Sequence, residues 1–215
     1  VFSAAGVYLF SKAALNHTDV VQFGFYWFAF GTVWSLLFAN LRSFYGRIKS
    51  INGQAWRIYI VIGVLEMITT SFFYFAIKTI ENPSIASFLS NLTPILVLLL
   101  GYFFLKEKFT KLVIAGMIMT IAGALIISYR VDTGFISFFE NGSGYAYLAS
   151  TFYAVSLTIT RKNIGILYPK ILTFNRTFLL FIFFATWMIL SGQDFKIERA
   201  AYLPILVGSF VGPFL

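Results

Sequence analysis

Residues 81–130 read ENPSIASFLSNLTPILVLLLGYFFLKEKFTKLVIAGMIMTIAGALIISYR. Two long apolar runs are joined by the basic turn Lys106-Glu107-Lys108, with Lys111 just beyond. A helix needs about 20 apolar residues to cross the hydrocarbon core, so this stretch predicts a transmembrane hairpin. In lipid every backbone polar group must be satisfied within the protein, which leaves helices as the spanning elements here. Ser87, Ser90, Asn91 and Thr93, inside the first run, must face protein or a wet cavity.

The rest of the chain obeys the same constraint. Hydrophobic residues make up 59% of it and charged residues 11%, against about 25% charged in soluble domains. A soluble core of 215 residues has no room for 27 Phe, whereas lipid contact does. The +8 net charge would point to nucleic acid in a soluble protein. Here it is expected in cytoplasmic loops, and no nucleic-acid partner is expected. Cysteine is absent, which excludes disulfides, thiolate chemistry and Cys-based metal sites. The chain opens in VFSAAGVYLF with no basic leader or small-residue cleavage site, so no cleaved signal peptide is expected.

Eight apolar spans are predicted, near 1–15, 20–41, 57–79, 83–105, 109–129, 144–160, 170–191 and 201–215. Pro83, Pro169 and Pro204 mark helix starts, where a missing N–H costs nothing. Loops after spans 2, 4 and 6 carry ten basic residues: Arg42, Arg47, Lys49, Arg57, Lys106, Lys108, Lys111, Arg161, Lys162 and Lys170. The other loops carry five, Lys12, Lys78, Arg130, Lys196 and Arg199, together with most of the acids. The positive-inside rule makes the first side cytoplasmic and places the N-terminus there. The expectation is a multi-pass protein of the cytoplasmic (inner) membrane.

A shift of 150 residues lays spans 1–2 on spans 6–7, matching Lys12 with Lys162, Ala4 with Ala154 and Phe28 with Phe178. Gly63 meets Gly208 after a five-residue deletion. Five spans per unit is odd, so the second unit enters the membrane from the opposite side. Such an inverted repeat exposes a midplane site to each face in turn. The domains expected are a first repeat, 1–130, whose first helix is truncated at its start, and a partial second repeat, 131–215. The fold class is thus all-α and polytopic, with about eight of ten helices present; a genuine eight-span protein is the alternative.

Several residues could carry transport. Glu66 lies about ten residues into span 3, roughly 15 Å along the helix. A carboxylate at that depth costs about 2.5–3.5 kcal/mol unless protonated, paired or wet. It is read as a proton-coupling or substrate-amine site, or as a neutral group tying helices together. Thr70 and Tyr74 continue its face. Arg176, beside Asn175 and Thr177, cannot shed its charge and needs a carboxylate, a substrate anion or a path to the interface. In span 4, Ser84, Ser87, Asn91 and Pro94 share one face, and Pro94 frees the Ser90 carbonyl, kinking the helix. This polar stripe suits a substrate cavity or helix–helix hydrogen bonding. Tyr26, Trp27 and Tyr153 offer aromatic walls or plain core. Gly116, Thr120, Gly123 and Ala124 give span 5 a small packing face.

No phosphate-binding glycine loop ends in Lys-Ser/Thr, no His pair is spaced for zinc, and no Ser, His and acid share a depth. An enzyme is therefore not expected, nor is a cofactor or a metal.

Segment Gly63–Ser128 resembles the EamA-type half of the drug/metabolite transporter superfamily. The resemblance rests on Ala76, on Ser84-Ile85-Ala86-Ser87, on Leu92-Thr93-Pro94, on Glu107 in the basic turn, and on Gly116 with Gly123. Glu66 departs from the family pattern. The resemblance implies ten helices in two inverted repeats and a permease, with export as the direction, moving small organic metabolites without ATP. The expected partners are a small-molecule substrate and the lipid bilayer, with proton coupling and a homodimer as further options. A non-transporting scaffold or receptor, and a channel, are the rival readings.

Overall fold

The computed structural model describes residues 2–38, 41–80, 89, 92–128 and 142–212. Among them the chain is an all-α polytopic membrane protein. Its helices are α1 (Phe2–Leu15), α2 (Val20–Leu37), α3 (Leu41–Lys49), α4 (Gly53–Thr79), α5 (Leu92–Leu105), α6 (Lys111–Ser128), α7 (Ser143–Lys162), α8 (Pro169–Leu190) and α9 (Arg199–Val211). Helices α2, α4 and α8 are long and apolar enough to cross a membrane on length and composition alone. Large apolar side chains stand outward, among them Leu112 at 83% and Ile126 at 77% exposure. In water that surface would drive association; against lipid tails it costs nothing.

Local chemistry sets the helix ends. Gln22 accepts the backbone N–H of Asp19 through its side chain, closing the start of α2. Pro169 opens α8. The same helix ends on Gly192 in the left-handed region (φ 62°). The N–H of Gly192 bonds the Ile189 carbonyl, and that of Gln193 bonds Met188, capping the last turn.

Helix α4 begins at Gly53 rather than near residue 57, so Arg57 lies inside it, and two further elements also differ from expectation. The basic loop after span 2 contains α3, a helix of its own. Its apolar residues Leu41, Phe44, Tyr45 and Ile48 recur at i, i+3, i+4 and i+7, an amphipathic stripe too short to register as a span. Helix α9 starts at Arg199, so Pro204 lies inside it rather than in its first turn. Its ring forgoes the hydrogen bond to the Ala200 carbonyl.

The chain divides into two compact units. Val1–Met67 with Asn163–Leu215 forms one, and Ile68–Lys162 the other. This partition follows packing, whereas a repeat follows sequence shift.

In the first unit α2 packs along α8, α1 along α9, and α9 also against α2. Phe28 stacks on Phe184 at 5.8 Å. Gly24 makes room for the Phe184 ring, and Gly208 for the Trp27 indole, which a Cβ would strike. The loops meet in two groups. His17 pairs with Glu198 at 2.8 Å, while Gln22 and Tyr26 donate to the carbonyls of Asp194 and Phe195. At the other end Tyr168 donates its N–H to the Tyr59 hydroxyl at 2.8 Å, and Arg47 lies over the Tyr168 ring.

In the second unit α5 packs on α7. Ser150 donates to the Leu89 carbonyl at 3.1 Å, and Phe72 stacks near Tyr145 and Phe152. After α5, Lys106 takes a left-handed conformation (φ 55°), which costs a non-glycine residue roughly 1–2 kcal/mol. That turn folds Glu107 back over Gly101. Both Glu107 oxygens accept from Arg161 Nη2 at 3.0 Å. The acid of the basic turn thus ties the α5–α6 connection to the end of α7.

Candidate functional site

Glu66 lies thirteen residues from either end of the 27-residue α4, about 20 Å along the helix from each. Its side chain is 5% exposed and pairs with Arg176, Nε to Oε2, at 3.1 Å. Arg176, seven residues into α8, keeps 40% exposure.

A close helix approach makes this pair. Gly63 has no side chain, and the space of its missing Cβ is taken by Leu179, with the Asn175 amide 3.6 Å away. One turn earlier Asn175 donates to the Tyr59 carbonyl at 3.0 Å. Helices α4 and α8 are thereby held backbone to side chain, with Arg176 in reach of Glu66. On the far side of α8, Thr177 is 2% exposed and lies 3.4 Å from the Ser35 hydroxyl of α2. A buried carboxylate facing a half-exposed guanidinium is locally neutral, which removes much of the cost of an acid at this depth.

The other candidate residues are distributed as follows. Thr70 and Tyr74, the next turns of α4, are buried at 6% and 3% exposure in the second unit. Trp27 is buried between α2 and α9. Tyr26 closes the α8–α9 connection through its hydroxyl. Tyr153 is half-buried on α7. Pro94 is the third residue of α5. Ser87 and Asn91, with the Ser90 carbonyl, lie outside the described residues. On α6, a Cβ at Gly116 or Gly123 would meet nothing within 4 Å. Thr120 donates to the Gly116 carbonyl, and the side-chain surroundings of Ala124 are not among those described.

Tyr59 was not among the residues singled out from sequence. It is fully buried; its hydroxyl accepts from Tyr168 at the start of α8 and its carbonyl from Asn175 within that helix. Only its pairing with Gly63 one turn on signals it, since a tyrosine is common at membrane interfaces. Among the described residues no group of three or more His, Cys, Asp or Glu could hold a metal ion.

The sequence model of the EamA-like transporter family matches residues 1–129. A curated protein of Bacillus subtilis (strain 168), described as uncharacterized transporter YxxF, is 34% identical over 122 residues. That alignment covers 53% of this chain and 39% of the relative, so the match spans well under half the relative's length. A crystal structure described only as that of a protein superposes with a TM-score of 0.66 at 14% identity. It covers 99% of this chain and 75% of the other, a likeness of fold alone.

Proposed function

The chain belongs to the EamA-like transporter family, and on that premise we propose that it serves a secondary transporter of small organic metabolites, working by alternating access. The observation that carries this reading is the Glu66–Arg176 pair at mid-helix. Ionisable groups at that depth are expensive and concentrate on transport pathways and proton relays.

Ionised Glu66 clamps α4 to α8 through Arg176. A proton on Glu66 removes the attraction and lets the two helices part. Proton binding and one conformation of the site then favour each other, and the same linkage couples a proton gradient to substrate movement. Export as the direction rests on the family resemblance.

Internal packing supports an inverted repeat. Gly63 of α4 faces Leu179 and Asn175 of α8, and Gly208 of α9 faces Trp27 of α2. With α4 and α9 as third helices of their repeats, each sets a glycine against the second helix of the other. The second helices, α2 and α8, pack on each other, as a two-fold relation requires.

The charge asymmetry supports a cytoplasmic side for the α2–α4 connection and Lys170. In intact cells a cysteine at Gly53 is expected to resist an impermeant thiol reagent, while one at Asn16 labels. The reverse pattern would invert the topology.

The transport reading is tested in proteoliposomes with a panel of radiolabelled small metabolites. A transporter shows saturable flux of at least one of them, stimulated by unlabelled compound on the opposite side. A non-saturating conductance would indicate a channel. No flux of any compound, with protein correctly inserted, would leave the scaffold reading.

A further inference from the structure

Helix α3 has no role in the transport reading, yet its chemistry is specific. Phe44 is its anchor, buried and edge-on to Phe174 of α8 at 5.2 Å. Tyr45, on the same apolar stripe, is 61% exposed. A short amphipathic helix tethered by one aromatic, with another left outward, is built to lie in a membrane interface.

The surrounding charge is of one sign. Arg47 and Lys49 of α3, Arg57 of α4 and Lys170 of α8 are all exposed. No Asp or Glu occurs between Asp19 and Glu66, or between Glu140 and Asp194. The segments that build this end of the first unit therefore contain no carboxylate to neutralise it. Two of the cations are preset. The Arg47 guanidinium sits 4.8 Å over the Tyr168 ring, itself fixed by the bond from its N–H to Tyr59. The Lys49 ammonium sits 4.6 Å over Tyr45. A guanidinium over a ring keeps its edge donors available for phosphate oxygens. Trp56, 40% exposed beside Arg57, adds an aromatic of the kind enriched at headgroup depth.

We propose that α3, with the adjoining ends of α4 and α8, is a docking surface for anionic phospholipid headgroups of the leaflet in which it lies. The headgroup phosphates take the outward N–H donors of Arg47, Lys49, Arg57 and Lys170, while Tyr45 enters the acyl boundary. The surface fastens the α2–α4 connection to the membrane, next to the α4–α8 contact at Tyr59.

The test is lipid retention. The protein is reconstituted in mixed phosphatidylcholine and phosphatidylglycerol, released into mild detergent, and its bound lipids are counted by native mass spectrometry. Wild type is expected to retain phosphatidylglycerol in preference to phosphatidylcholine, less so as salt is raised. Each cation near an anionic surface contributes about a fivefold preference, so Arg47→Gln with Lys49→Gln should lose on the order of 25-fold. The charge-preserving pair Arg47→Lys with Lys49→Arg should keep most of it. Should the neutral variant fail to fold, wild type alone decides, because equal retention of the two lipids overturns the proposal. So does undiminished phosphatidylglycerol on a folded neutral variant. Displacement of the lipid by inorganic phosphate at equal concentration would also overturn it, by assigning the cations to a free anion.

Discussion

Replacing Arg176 with alanine is expected to destabilise the protein by about 3 kcal/mol, the low end for breaking a buried ion pair, since Arg176 is 40% exposed. The loss is less that of an attraction than of a compensation, because Glu66 stays at 5% exposure without its ion-pair partner. The signature is therefore rescue. Adding Glu66→Gln to Arg176→Ala removes the buried charge and should recover much of the stability. A double-mutant cycle read by thermal or denaturant unfolding in detergent measures it. Additive losses would mean that the two side chains do not interact in the folded protein.

The second large effect falls on coupling. Glu66→Gln keeps the shape of the neutral acid but exchanges no proton. Transport driven by a pH gradient should fall by about 5- to 150-fold, the range of typical coupling free energies. Substrate-for-substrate exchange needs no net proton movement and should persist. If both activities fell together, Glu66 would instead bind a cationic group of the substrate. If both survived with unchanged pH dependence and normal expression, Glu66 would be a structural hydrogen-bonding group. Arg176→Ala lacks the same clamp and should be uncoupled as well, on top of its lower stability.

The parts of this site differed in how plainly the sequence announced them. Glu66 and Arg176 stand out because ionised groups are so costly in an apolar helix. Their pairing was only one option for each, since contact across 110 residues depends on the approach of α4 to α8. Gly63 permits that approach, and no apolar period encodes it. Gly63 and Gly208 were legible as a repeat match, but not as clefts for Leu179 and Trp27. Helix α3 was hidden because a span-length hydropathy pattern passes over nine residues whose linear apolar run is broken by Arg42, Arg47 and Lys49. Helix α9 begins earlier than its apolar run, since Glu198 in an extended conformation starts it within charged sequence. Membrane class was legible throughout, because composition and span length report directly on lipid as solvent.

Alternating exposure of the region around Glu66 is the central claim, and its test needs no known substrate. The chain has no cysteine, so a single one at Thr70, one turn beyond Glu66 and 6% exposed, reports alone. It is treated with an impermeant thiol reagent in right-side-out and in inside-out vesicles. Alternating access predicts labelling from each side, with a bulky reagent bound from one side preventing reaction from the other. Labelling from neither side in folded protein, or from both sides at once without mutual exclusion, would contradict it.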